Sequence, residues 1–146
     1  MTATPANRPL LEVDNLRIEI PGRRGTLVAV DGVSFDIGAG EVLGVVGESG
    51  AGKSLTGAAV IGLLEPPCRI AGGTVRFDGR RIDNLPYEKL RRIRGREIGM
   101  VFQDPLTALN PLYTVGRQLT ETILTHSGLS AKAARRRALE LLQEVG

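Results

Sequence analysis

The sequence predicts an α/β chain that opens with an antiparallel β subdomain and passes into an α/β core whose sheet is incomplete. Three observations carry this. Apolar and polar residues alternate over Leu10–Ile20 and again over Leu27–Ile37, the period of a sheet with one solvated face. Glu41–Gly47, EVLGVVG, is apolar without alternation and runs into a glycine-rich turn and a helical stretch, the order of a doubly buried parallel strand feeding a helix. From Val115 onward the apolar residues fall at helical spacing.

In order along the chain, residues 1–9 read as a flexible polar leader with two prolines. The first strand places Leu11, Val13, Leu16, Ile18 and Ile20 in its pattern, with a break at Asp14-Asn15. Pro21 to Gly25 supplies a turn, LVAVDGVSFDI a second strand, and Gly38-Ala39-Gly40 another turn. Val42–Val46 is then expected as a strand buried on both faces, and a helix is expected from Lys53 to about Leu64, ended by Glu65-Pro66-Pro67. GGTVRFDG reads as a short strand, Tyr87–Ile93 as a short basic helix, and Ile98–Phe102 as a second mostly apolar strand before the proline-bounded loop DPLTALNP. Val115, Leu119, Ile123 and Leu124 mark a helix closed by Gly128, and Ser130 caps a last helix with Ala134, Ala138, Leu141, Leu142 and Val145 on its apolar face. Phe102 and Tyr113 are expected to pack, and His126 to sit at the surface or partly packed.

Composition narrows the function classes. The 146 residues are 42% hydrophobic and 24% charged, which suits a globular chain with room for one ordinary domain. The longest apolar tract, around Leu55 to Leu64, is far short of the roughly 20 residues that span a bilayer, and MTATPANRP does not read as a secretion signal. The lone Cys68 and lone His126 offer neither an internal disulfide nor zinc-ligand spacing, and a reducing cytoplasm is the default. The net charge is only +3, and 3% aromatic residues with no Trp supply few stacking platforms for single-stranded nucleic acid. The arginines at 91–96 and 135–137 lie among Glu88, Glu97, Glu140 and Glu144, so they read as solvated helix faces and no nucleic-acid partner is expected.

The strongest chemical signal is GESGAGKS: Gly47, Glu48, Ser49, Gly50, Ala51, Gly52, Lys53 and Ser54. It fits G-x-x-x-x-G-K-S/T, the Walker A or P-loop pattern, between an apolar segment and a helix. The glycines let successive backbone N–H groups turn toward one anion, and the helix N-terminus adds its positive dipole end. Lys53 can reach the β and γ phosphates of a nucleotide, and the Ser54 hydroxyl is placed to ligate magnesium.

Beyond the loop, IGMVFQDPLTALNPLYTVG resembles the Q-loop region of ABC transporter ATP-binding subunits. VDGVSFDIGAGEVLGVVGESGAGKS, GLLEPPCRIAGGTVRFDGR, LRRIRGREIGMVFQDPLTALNP and HSGLSAKAARRRALELLQEVG are similar to the dipeptide, oligopeptide and nickel importer branch of that family. The resemblance runs from about Leu10 to Gly146, the N-terminal part of such a subunit, and implies a P-loop NTPase fold of the ABC type. It implies ATP and Mg2+ as ligands, with Gln103 ending a strand and sensing the γ-phosphate through magnesium or the attacking water. It further implies permease subunits meeting the region Asp104–Tyr113, a second ATPase subunit in a homo- or heterodimer, and a peripheral place on the cytoplasmic face of the cell membrane.

Departures from the family pattern matter as well. Ile20 stands where the family commonly has an aromatic residue against adenine. The signature stretch resembling LSGGQ, the acidic Walker B strand with its catalytic glutamate, and the switch histidine are not among the 43 residues that follow Gln103. Loss of one well-placed stabilising group commonly costs about 3–4 kcal/mol of transition-state stabilisation, and here several are missing together. These 146 residues are therefore expected to be the first part of a longer ATPase subunit and not to hydrolyse ATP alone; the alternative is a non-catalytic nucleotide-binding fragment or an interaction remnant. The cargo, peptide or nickel, is not written in a loop that recognises phosphate.

Overall fold

A one-residue interruption in the first alternating run sets the register of the β subdomain. Strict alternation would turn Val13 and Leu16 to opposite faces. In the computed structural model, which describes residues 8–103 and 108–146, β1 (Leu11–Gly22) is bulged at Asp14-Asn15. Asn15 adopts φ 48 and its N–H donates to Ser34 Oγ at 2.8 Å. The extra residue resets the face, and Val13, Leu16 and Ile18 are all buried. The irregularity reaches across to the neighbouring β3 (Arg69–Phe77), where Gly73 sits at φ 84; a Cβ there would lie 2.4 Å from Asn15 O, so only glycine fits.

β1 pairs antiparallel with β2 (Gly25–Ile37) through a two-residue turn at Arg23-Arg24, and on its other edge with β3. A two-residue β4 (Arg80–Arg81), not foreseen in the sequence, completes the order β2-β1-β3-β4. The buried side chains of this region also include Val30, Val75 and Ile82 from the sheet and its edge, Ala59 and Val60 of α1 (Lys53–Val60), Ile61, and Leu90 and Ile93 of α2 (Tyr87–Ile93). Ion pairs run within and between strands: Arg17 meets Glu19 of its own strand at 3.2 Å and Asp31 of β2 at 2.5 Å, and Arg69 of β3 meets Glu19 at 3.1 Å. Exposed pairs of this kind contribute little each.

The chain forms two compact units, one running to Arg94 and one from Gly95. The second contains α3 (Val115–His126) and α4 (Ala131–Val145). Ala134 and Ala138, one turn apart on α4, are buried, while Leu119 and Ile123 of α3 are half-buried. Leu142 and Val145, expected on the apolar face, remain exposed. Thr114 and Ser130 cap the two helices, accepting from Arg117 N–H at 3.3 Å and Ala133 N–H at 3.4 Å. Arginines and glutamates pair along α4, Arg137 reaching Glu140 at 3.4 Å and Glu144 at 2.7 Å.

Several expectations need correction. Val42–Val46 is not a strand: Val42 and Val46 are each 94% exposed, and no neighbouring strand pairs with the segment. Ile98–Phe102 likewise forms no strand beyond an isolated bridge at Ile98, and Val101 is 97% exposed. A strand exists only if its backbone donors and acceptors find a partner, and among the described residues the only sheet is the antiparallel one. Helix α1 stops at Val60, four residues before Leu64, because Gly62 takes φ 65 and caps it: Leu63 N–H donates to Ala58 O at 2.7 Å and Gly62 N–H to Ala59 O at 3.0 Å, a Schellman motif. Gly128 does not close α3; Ser127 does, in extended conformation, with its Oγ donating to Ile123 O at 2.6 Å. Phe102 and Tyr113 are exposed, not packed. His126 is exposed, its ring lying over Gly95. The leader expected over 1–9 falls mostly outside the described residues, as do residues 104–107 of the loop after Gln103.

Candidate functional site

The loop Gly47–Ser54 enters α1 without a side-chain cap. Gly52 is the N-cap residue, at φ 84, and has no side-chain oxygen to offer the first turn. Thr56 N–H reaches Gly52 O at 2.8 Å, which leaves the N–H groups of Lys53, Ser54 and Leu55 with no intrahelical acceptor. The other long helices differ, since Thr114 and Ser130 cap them. An uncapped, glycine-led helix N-terminus offers its amides and its positive dipole end to an anion.

Close packing against the sheet positions this turn. A Cβ on Gly52 would lie 2.8 Å from Val30 Cγ2 and 3.0 Å from Ala29 O, so the glycine lets the start of α1 rest on β2. Gly50 shares φ 84 but faces open space. Ala51 N–H donates to Glu48 O at 3.2 Å, closing a tight turn through Ser49 and Gly50. Lys53, half-buried as the first helical residue, folds back over the loop: its Nζ donates to Gly47 O at 2.6 Å and Glu48 O at 2.7 Å. The ammonium is thus held over the concave side of the turn with a third proton to give. Ser54 is exposed in the first helical turn.

These features fit a phosphate group: glycine-permitted curvature, uncapped amides and one fixed cation converge on a single turn. A hard cation accompanying that phosphate would find the Ser54 hydroxyl, an oxygen donor of the right kind. Among the described residues no group of three His, Cys, Asp or Glu side chains could hold a metal by itself. Gln103 belongs to the second unit, in an exposed bend, and no strand carries it. Ile20 lies near the β-hairpin end, half-buried and opposite Leu27, which is 65% exposed. A cleft of about 860 Å³ runs between α3 and α4, lined among others by Arg117, Thr120, Lys132 and Arg135, and has no part in the loop.

Two contributors escaped the sequence reading. Gly62 ends α1 early and brings its turn against α2, where Arg94 Nε donates to Ile61 O at 2.7 Å; an isolated glycine near a helix end was the available signal. Gln118 braces the turn before α3 by hydrogen bonds that no local pattern announces.

Comparison with known proteins places this geometry in context. The family model described as ABC transporter matches residues 30–146. The oligopeptide transport ATP-binding protein OppD of Salmonella typhimurium is 46% identical over 147 residues, 99% of this chain and 44% of that protein. A putative peptide import ATP-binding protein of Brucella abortus is 46% identical over 145 residues, with the same coverage, and the dipeptide transport ATP-binding protein DppD of Escherichia coli is 41% identical over 137 residues, 94% of this chain and 42% of that protein. The chain therefore spans less than half the length of these relatives. Among solved structures, a dimeric ATP-binding cassette in a post-hydrolysis state bound to ADP and Pi superposes with a TM-score of 0.78 at 27% identity, covering 91% of this chain and 56% of that one.

Proposed function

The chain belongs to the ABC transporter family, and we propose that it is the nucleotide-gripping N-terminal part of the ATP-binding subunit of an importer of di- or oligopeptides, or of nickel. The observation that carries this reading is the uncapped start of α1 with Lys53 Nζ folded over Gly47 O and Glu48 O. The names of the relatives, peptide import and oligopeptide or dipeptide transport ATP-binding proteins, support the cargo class.

In this reading the amides of the Gly47–Ser54 turn and of the first turn of α1 bind the phosphates, and Lys53 exchanges its carbonyl partners for β and γ phosphate oxygens. Ser54 Oγ and the Gln103 amide oxygen ligate magnesium, which neutralises charge on the phosphate oxygens when bound. Gln103 also orients the attacking water. The region Asp104–Tyr113 meets the permease, a second ATPase subunit completes a homo- or heterodimer, and the assembly sits on the cytoplasmic face of the membrane. Among the described residues no helix is long and apolar enough to cross a membrane. The exposure of Val42 and Val46 favours a companion reading for these 146 residues taken alone: they bind nucleotide without turning it over.

Equilibrium binding of a fluorescent ATP analogue with magnesium tests both. Lys53→Ala should weaken binding at least about tenfold, the size of losing charge-assisted bonds to phosphate, and the 146-residue chain should show no turnover. Affinity indifferent to Lys53 would refute the site; magnesium-dependent turnover lost in Lys53→Ala would refute the companion reading.

A further inference from the structure

The end of α1 remote from the glycine-led turn is gripped by a single side chain. Arg94, half-buried at the C-cap of α2, donates from Nε to Ile61 O at 2.7 Å and from Nη2 to Gly62 O. Carbonyls at and just beyond a helix C-terminus have no intrahelical donor and lie at the negative end of the dipole, so a planar cation with parallel donors suits them on both counts. The same guanidinium lies over the Tyr87 ring, with Cζ 5.5 Å from the centroid, so the first residue of α2 steadies the side chain that follows its last. Gly62 permits the close approach: a Cβ there would overlap Leu90 Cδ2 and lie 3.1 Å from Arg94 Nη2.

α1 is thereby fixed at two points. At its start Gly52 rests on Val30 and Ala29 of β2, which sets where the helix begins but not which way it points. The buried Ala59, Val60 and Ile61 add apolar contact, which is non-directional. The Arg94 fork is directional, and it acts on the far end of a rigid rod: eight residues span about 12 Å, so a release of about 2 Å at Ile61 tilts the axis by about 10°. That tilt re-aims the free N–H groups of Lys53, Ser54 and Leu55 together with the Lys53 ammonium, and a site built on fixed donors loses affinity over shifts of this size. Through-space attraction is the lesser effect, because a charge about 12 Å or more from the anion lies beyond the Debye length of about 8 Å at physiological salt. We propose that Arg94 is a positioning residue for phosphate: by clamping Ile61 O and Gly62 O it sets the direction of α1 and with it the aim of the Gly47–Ser54 amides. The clamp stands without the nucleotide reading above; its effect on affinity rests on that reading.

Four variants of the chain, titrated with a fluorescent ATP analogue and magnesium, test it. Arg94→Ala should weaken binding about fivefold, and Arg94→Lys, which keeps the charge but replaces the planar fork with one ammonium, should recover part of that loss. Asp83→Asn, which loosens the sheet edge at Val75 and Arg81, should leave the affinity unchanged. Lys53→Ala reports on the site itself. In the nucleotide-free chain the amide resonances of Ser54 and Leu55 should already shift in Arg94→Ala, a helix length from the substitution, and the Gly62 and Leu63 amides that close α1 should exchange about fivefold faster. Affinity unchanged in Arg94→Ala while Lys53→Ala weakens it overturns the positioning role and leaves the site standing. Equal weakening in Asp83→Asn and Arg94→Ala also overturns it, since general loosening would then suffice, and full recovery in Arg94→Lys overturns the two-carbonyl clamp in favour of charge alone. Affinity indifferent to Lys53→Ala, with the Ser54 and Leu55 shifts present, overturns the nucleotide reading and not the clamp.

Discussion

Gly50 and Gly52 share the same backbone angle, φ 84, yet substitution should affect them very differently. Alanine at a left-handed position costs about 1–2 kcal/mol, offset by about 0.4–1 kcal/mol from a stiffer unfolded chain. At Gly50, where a Cβ meets nothing within 4 Å, little else enters, and Gly50→Ala should cost at most about 1.5 kcal/mol. At Gly52 the new Cβ would lie 2.8 Å from Val30 Cγ2 and 3.0 Å from Ala29 O. The valine methyl can rotate, but the carbonyl moves only with β2, so overpacking adds about 1–3 kcal/mol. The difference between the two variants is that added cost, roughly fivefold to 150-fold in the unfolding equilibrium. With no tryptophan in the chain, urea unfolding read at the Val30 methyl resonances is a suitable assay. Equal midpoints for the two alanine variants, at equal slope, would refute the claim that the start of α1 is set by its contact with β2.

Asp83 links stability to acid. Its burial would raise its pKa, but the hydrogen bond from Arg81 and the bond from Val75 N–H outweigh that and lower it. A carboxylate lowered in the folded state stabilises above the unfolded value, near about pH 3.9, and loses that contribution as pH falls through the folded value. Glu19 acts with the same sign through its bonds from Arg17 and Arg69. The urea midpoint should therefore drop on acidification below about pH 4, and Asp83→Asn should flatten the drop; parallel profiles for the two proteins would contradict the assignment. Backbone amides of Val42–Val46 should exchange within about tenfold of unstructured rates in this chain, because no strand among the described residues pairs with them. Protection of a hundredfold or more there would mean that a strand partner forms after all.

What was legible in the sequence follows local physics. The alternation of Leu11–Ile20, the break at Asp14-Asn15, the Pro21–Gly25 turn, the helix Tyr87–Ile93 and the Ser130 cap all rest on interactions within a few residues or on one period, and each is found in the structure. The GESGAGKS turn is legible for the same reason, since its curvature comes from glycines at fixed offsets. The two prolines beyond Leu64 predict a later end for α1 than the one that the left-handed Gly62 imposes.

Val42–Val46 marks the boundary between the two kinds of information. The apolar run by itself gives only the expectation of a doubly covered strand, and the glycine offsets after it give the curvature of the turn that leads into α1. Neither could decide whether the strand exists. A helix closes its hydrogen bonds within itself, and a hairpin closes them with the next segment, so α1 to α4 and the β1–β2 pair form from what lies nearby. A parallel strand needs neighbours from distant parts of the chain, and only the three-dimensional arrangement decides whether they are there. Here they are not among the described residues, and Val42 and Val46 stand exposed beside a glycine-led turn that is already formed.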